Sequence, residues 1–172
     1  GAQAAASGKV SFLVSDLAAA KLDTGAWGHV LFLGFFIAFA IKAPMVPVHT
    51  WLPDTAEQAT PGASTLLVGI LDKIGTFGML RFCLGICPNA SQWATPVILV
   101  LAAISVIYGA LMAIGSKDLL RLISYTSVSH FGIMVIGIFA FTTTSIQGSI
   151  FYMLNHGFST AALFMVIGFL VK

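Results

Sequence analysis

The sequence predicts an all-α protein: a polytopic bundle of transmembrane helices with one discontinuous member. Three observations lead there. Of its 172 residues, 58% are hydrophobic and 8% are charged, against about 25% charged in soluble domains, so a water-facing surface cannot be covered. From Leu122 to Val171 there is no Lys, Arg, Asp or Glu, a length sufficient for about two membrane crossings at roughly 20 residues each. Finally, the apolar run FFIAFAIKAPMVP ends in a lysine and two prolines, and each proline removes a backbone donor and disfavours helix before it.

Taken in order, residues 1–26 are small and polar with a few charges, as expected of an extramembrane loop carrying a short surface helix. Gly1 is not an initiator Met, and the first residues lack the charged start and apolar core of a signal peptide, so the chain reads as an internal fragment of a longer polytopic protein. Residues 27–172 are expected to form the transmembrane bundle. Its first span, about 27–53, is broken at Pro44 and Pro47, giving a half-length helix that ends in Lys42. Interrupted helices at membrane depth are tolerated only inside protein or beside a watered cavity, where they mark ion sites. The alternative is a span that ends at the interface with a snorkelling Lys42. VHTWLPDTAEQATPG, with Asp54 and Glu57, should then climb to an aqueous face, Trp51 serving as an interface anchor.

Pro61 opens a second span to about 86, PNASQWATP reads as a loop, and a third span covers about 97–115. GSKD connects it to a fourth span, about 119–141, and TTTS to a fifth, about 146–171. If the spans alternate, Lys117, Arg121 and Lys172 fall on one side and Lys9, Lys21 and Arg81 on the other, so loop charge does not orient the chain.

Several function classes are excluded. A formal charge of +2 without a Lys/Arg block gives no footing for nucleic acid. Cys83 and Cys87 match neither CxxC nor a metal spacing and read as small apolar filler. No Gly-rich phosphate loop, nucleophile elbow or carboxylate-rich metal site is found.

Protonatable groups remain, in sequence where they have no routine place. An ammonium near the bilayer centre costs roughly 2.5–3.5 kcal/mol even on the lenient insertion scale, so an intramembrane lysine reads as functional. Lys42 ends the broken helix, and Lys73, in LLVGILDKIGTFGML, falls near mid-bilayer. His130 and His156 fall at similar depth on the fourth and fifth spans, and an imidazole moves easily between its two charge states. Lys42, Lys73, His130 and His156 are therefore the candidate proton relay. Ser124, Tyr125, Thr126, Ser127 and Ser129 precede His130, while Asn155, Ser159 and Thr160 surround His156. Such groups either hold an internal file of water or bond their own helix backbone. Asp72 adjoins Lys73, but neighbouring helical residues point about 100° apart, so a direct pair requires bent side chains.

FFIAFAIKAPMVPVHTWLPD, ATPGASTLLVGILDKIGTFGMLRF, DLLRLISYTSVSHFG and YMLNHGFSTAALF, in this order, resemble successive signatures of the antiporter-like proton-pumping subunits of respiratory complex I, most closely the M type of bacterial NADH:quinone oxidoreductase. The resemblance runs from about Val30 to Lys172. It implies an inverted-repeat antiporter-like fold and a multi-pass protein of the cell (inner) membrane. It makes Lys42 the lysine beside a helix break, paired in the family with a glutamate on an earlier helix that does not fall within this sequence. Lys73 matches the central relay lysine, and His130 and His156 match the relay histidines. An apolar residue is expected at position 72, where this chain has Asp72. The implied role is that of a translocase subunit without a redox centre: NADH, flavin, iron–sulfur clusters and quinone belong to partner subunits, and this chain meets other membrane subunits, lipid and protons. The competing readings are a subunit of a multisubunit sodium/proton antiporter or membrane-bound hydrogenase, and a membrane scaffold whose polar groups only lock helices together.

Overall fold

The computed structural model describes residues 13–19 and 25–170, and every regular element within them is helical. A short α1, Val14–Ala19, lies in the expected extramembrane loop, of which residues 1–12 and 20–24 fall outside the described set. Among the described residues, four helices are long and apolar enough to cross a membrane: α2 (Gly25–Lys42), α6 (Pro88–Gly115), α7 (Leu119–Phe139) and α8 (Thr143–Leu170). Between α2 and α6 lie α3 (Trp51–Gln58) and a run of mixed pitch over 61–84. That run comprises α4 (Pro61–Leu66), a π-helical segment Leu67–Leu71, α5 (Lys73–Gly78) and a second π-helical segment Met79–Leu84. The junction residues Leu67, Asp72 and Met79 keep right-handed helical dihedrals, so the chain stays helical throughout.

The expected break is present, since helix stops at Lys42 and resumes at Trp51, but the helix before it is not half-length as expected: starting at Gly25 it has 18 residues, enough to cross a membrane. Pro44 and Pro47 cannot donate, and the freed backbone finds other partners: Val46 N–H donates to Ser105 Oγ on α6 at 2.8 Å, and Val48 N–H to Met45 O at 2.8 Å. Trp51 Nε1 donates to Ile41 O at 2.8 Å, so this indole closes the broken helix end and is more than an interface anchor. Beyond the break, Arg121 at the start of α7 holds α3, with Nη1 2.8 Å from Glu57 Oε2 and 3.2 Å from Asp54 Oδ1.

The loop expected over PNASQWATP is instead the first turns of α6, and the structure corrects that reading. The reason is local. Pro88 occupies the first helical position, where its missing donor costs nothing. Ser91 Oγ donates to Cys83 O at 2.7 Å and Thr95 Oγ1 to Ser91 O at 2.7 Å, so the polar side chains serve backbone acceptors and leave the helix intact through Pro96. The turn is confined to Cys87. At the next connection Asp118 caps α7, its Oδ1 accepting from Arg121 N–H at 2.9 Å.

α7 is the axis of the bundle. Two-thirds of its membrane-length window (67%) is buried, against 22% for α2 and 28% for α6 and α8. Small residues let its neighbours close on it: a Cβ placed on Gly109 of α6 would stand 2.7 Å from Ser129 N and 2.9 Å from Tyr125 O. Aromatic and aliphatic side chains, among them Phe32, Phe36, Phe131, Met134, Val135 and Phe139, fill the core between α2, α6 and α7. The outward rows carry large apolar groups such as Val97, Ile107, Phe151 and Phe158.

Candidate functional site

The site is built where the broken helix, the mixed-pitch helix and the α7–α8 pair meet. In the first π-helical segment Asp72 N–H reaches back to Leu67 O at 3.0 Å, a wider turn than an α-helix makes. The Val68 carbonyl in that turn accepts from Lys73 Nζ, so backbone solvates the ammonium. Gly75, one turn on, lies against the end of α2: a Cβ there would stand 2.5 Å from Ala43 N and 2.8 Å from Phe39 O. This approach brings residues 72 and 73 beside the helix break.

Lys73 and the two histidines come together. Lys73 Nζ sits 5.4 Å from the centroid of Phe131 on α7, and its Cε is 3.6 Å from where a Cβ on Gly157 of α8 would project. The Phe131 ring is 5.4 Å from His156, and the His130 and His156 rings meet edge to face at 5.1 Å. His156 is buried, with neither ring nitrogen hydrogen-bonded to protein. His130 is half-buried and opens on a cavity of about 330 Å³ between α6 and α7, lined also by Ala110, Ala113, Ile114, Leu122, Thr126 and Ser129. Lys42 stands apart from this cluster, stacked 5.5 Å over the Trp51 ring with its Nζ 3.9 Å from Asp72 Oδ1. The carboxylate that approaches Lys42 thus lies within this chain, and Asp72 turns away from its sequence neighbour as the 100° rule demands.

Most of the hydroxyls flanking the histidines serve their own helices. Ser124 donates to Leu120 O at 2.8 Å, Thr126 and Ser127 to Ile123 O at 2.7 and 3.0 Å, and Thr160 to His156 O. Ser129 crosses to Val106 O on α6 at 2.9 Å, while Asn155 and Ser159 face outward. Two further buried groups lack hydrogen bonds to protein: His49, which the sequence did not single out, and Asp72, which it marked only as a departure from the family pattern. His49, in the unwound segment, lies 5.0 Å from the Tyr108 ring with both nitrogens unbonded, and Asp72 has both carboxylate oxygens unbonded. Cys83 and Cys87 are buried, and among the described residues no group of His, Cys, Asp and Glu is placed to hold a metal.

A family model described as NADH:quinone oxidoreductase/Mrp antiporter, transmembrane, matches residues 5–172. The chain belongs to this family. Among curated members of the NADH:quinone oxidoreductase/Mrp antiporter family, NADH-quinone oxidoreductase subunit M of Mycobacterium tuberculosis is 57% identical over 141 residues, covering 82% of this chain and 26% of that protein. Subunit M of Pseudomonas aeruginosa is 43% identical over 166 residues, 95% of this chain and 32% of that protein. The family fold extends to solved structures. A chain of respiratory complex I from Thermus thermophilus with bound NADH superposes with a TM-score of 0.90 at 35% identity, over 98% of this chain and 36% of that one. A chain of the Mrp complex from Dietzia matches with a TM-score of 0.74 at 26% identity, over 90% of this chain and 33% of that one. The chain therefore spans about a quarter to a third of the length of these relatives. It is a multi-pass membrane protein with the all-α, antiporter-like fold that the motifs implied.

Proposed function

We propose that this chain is part of a proton-translocating membrane subunit of an NADH:quinone oxidoreductase, in which Lys42, beside the helix break, and Lys73, His130 and His156 form the proton relay. The observation that carries this reading is the convergence of one lysine and two histidines from three different helices, with His130 and His156 rings 5.1 Å apart. An amine and two imidazoles each gain and lose a proton, and ordered water bridges the remaining gaps at little cost. Apolar walls, here Phe131 and the core around it, keep the charge on these few groups. The relatives' name supplies the coupled reaction. NADH, flavin, iron–sulfur clusters and quinone belong to partner subunits, and the other membrane subunits, the lipid of the cell membrane and protons are this chain's partners.

The test is proton uptake by vesicles holding the assembled complex during NADH oxidation. Lys73→Ala should suppress uptake strongly, and Lys73→Arg should fail in part because a guanidinium hardly releases its proton. Wild-type proton yield per NADH in assembled Lys73→Ala would refute the relay. The Dietzia match favours a second reading, in which the same lysines serve cation/proton exchange; antiport by vesicles that contain no NADH-oxidising partner would establish it in place of the first.

A further inference from the structure

We propose that Asp72 is a proton-carrying member of this site, the carboxylate that joins Lys42 to Lys73. The inference rests on the proton-relay reading above and adds a residue to it. Asp72 is fully buried, and neither of its oxygens is hydrogen-bonded to protein. A carboxylate placed for architecture is satisfied by backbone or side-chain donors, since burying it unsatisfied is costly. Here the nearest cation, Lys42 Nζ, is at 3.9 Å, outside hydrogen-bond range, and the Lys73 charge also acts on the carboxylate. The oxygens thus remain open to a proton.

Placement gives this carboxylate its direction. Asp72 and Lys73 leave the same turn of one helix on different bearings: Asp72 toward the end of α2 and Lys42, Lys73 toward Phe131 on α7 and Gly157 on α8. The close contact of Gly75 with Ala43 and Phe39 fixes that turn against the break. Among the described residues, Asp72 is the carboxylate that forms an ion pair with Lys42. With it, the series runs Lys42, Asp72, Lys73, then His156 and His130.

The steps balance. A proton leaves the Lys42 ammonium and bonds to a carboxylate oxygen of Asp72, directly after a closure of about 1 Å or through one water. One N–H bond breaks, one O–H bond forms, and both partners become neutral. Once Lys73 has passed its own proton on toward the histidines, the carboxylic acid gives its proton through water to the neutral Lys73 amine, restoring the carboxylate and re-forming the ammonium. No electrons change hands.

The experiment introduces Asp72→Asn into the complete complex and measures the initial rate of proton uptake by vesicles during NADH oxidation, at equal complex content on native gels. Asparagine keeps the shape and cannot accept the proton. Uptake should fall by about tenfold, a conservative figure for loss of one positioned acid–base group, and Asp72→Glu should restore much of it. If Asp72→Asn fails to assemble because Lys42 is left without a counter-charge, Lys42→Met with Asp72→Asn removes both charges together. That pair should pump no worse than Lys42→Met alone, since the two residues serve one step. Wild-type uptake in Asp72→Asn, or a double variant whose losses multiply, overturns the assignment. Lys73→Ala measured beside them separates the two readings: if it still abolishes uptake while Asp72→Asn pumps normally, the relay stands without Asp72. If both pump normally, the relay reading falls as well.

Discussion

Replacing Gly75 by alanine tests the contact on which the site's geometry depends. A Cβ there would meet Ala43 N at 2.5 Å, Ala43 Cβ at 2.7 Å and Phe39 O at 2.8 Å. These are backbone atoms and a methyl group, none of which can rotate away. Restoring ordinary contact at 3.4 Å moves the two segments apart by about 0.9 Å. Overpacking of this kind costs about 1–3 kcal/mol, of which better helix propensity of alanine recovers up to about 1 kcal/mol. The Lys42–Asp72 separation, 3.9 Å, widens toward about 4.8 Å if it follows the backbone. At an effective dielectric of 20 the attraction falls by about 0.8 kcal/mol, roughly fourfold in an equilibrium, an upper bound because Lys42 is about one-third exposed. Assembled Gly75→Ala complex should therefore take up protons about two- to fourfold more slowly and denature at a lower temperature than wild type. Gly34→Ala, where a Cβ meets nothing within 4 Å in this chain, is the control and should leave both readings unchanged. Wild-type rates and an unaltered thermal midpoint in Gly75→Ala would mean that the 73–78 helix does not lie this close to the break.

The remaining perturbations are local. Ser105→Ala removes the acceptor for Val46 N–H and should destabilise the unwound segment by about 1–3 kcal/mol. Amide exchange over 43–50 should accelerate about tenfold for each 1.4 kcal/mol lost, and unchanged exchange would show that Val46 is held by another group. Asp118→Ala removes the cap of α7, the helix that carries His130, at a cost of about 1 kcal/mol; faster exchange should appear over 119–123 and not at the distant end of α7.

The legibility of this chain follows the range of the interactions involved. The break after Lys42 was readable because proline acts within one or two residues of itself: Pro44 and Pro47 remove donors wherever the chain goes. The gathering of Lys73, His130 and His156 was readable because apolar spans share one length scale, so similar depth in sequence becomes proximity in space. The π-helical segments were not, since LVGIL and MLRFCL have ordinary helix-forming composition and nothing in them marks a wider turn. Pro88 and Pro96 suggested a loop because proline at a helix start and proline in a turn look alike until the partners of Ser91 and Thr95 are known. His49 escaped for the opposite reason, and Asp72, though out of place by the resemblance, gave no sign of lacking donors. Their significance lies in what they fail to touch, and a missing hydrogen bond leaves no trace in a sequence.

The central position of α7 sets two different rules for substitution within one bundle. On the outer rows of α6 and α8, at exposed positions such as Val100 or Phe151, a replacement is judged by its chemistry: leucine for valine should pass, whereas aspartate at the same size should be rejected wherever that row meets lipid. On α7 the judgement is by volume. Serines thrive there because their hydroxyls bond backbone, but one methylene too many at Gly132 or Ser127 has nowhere to go. Random mutagenesis of this protein should accordingly yield two separate alphabets of tolerated residues, one indifferent to shape and the other indifferent to modest polarity, divided by which face of which helix is struck.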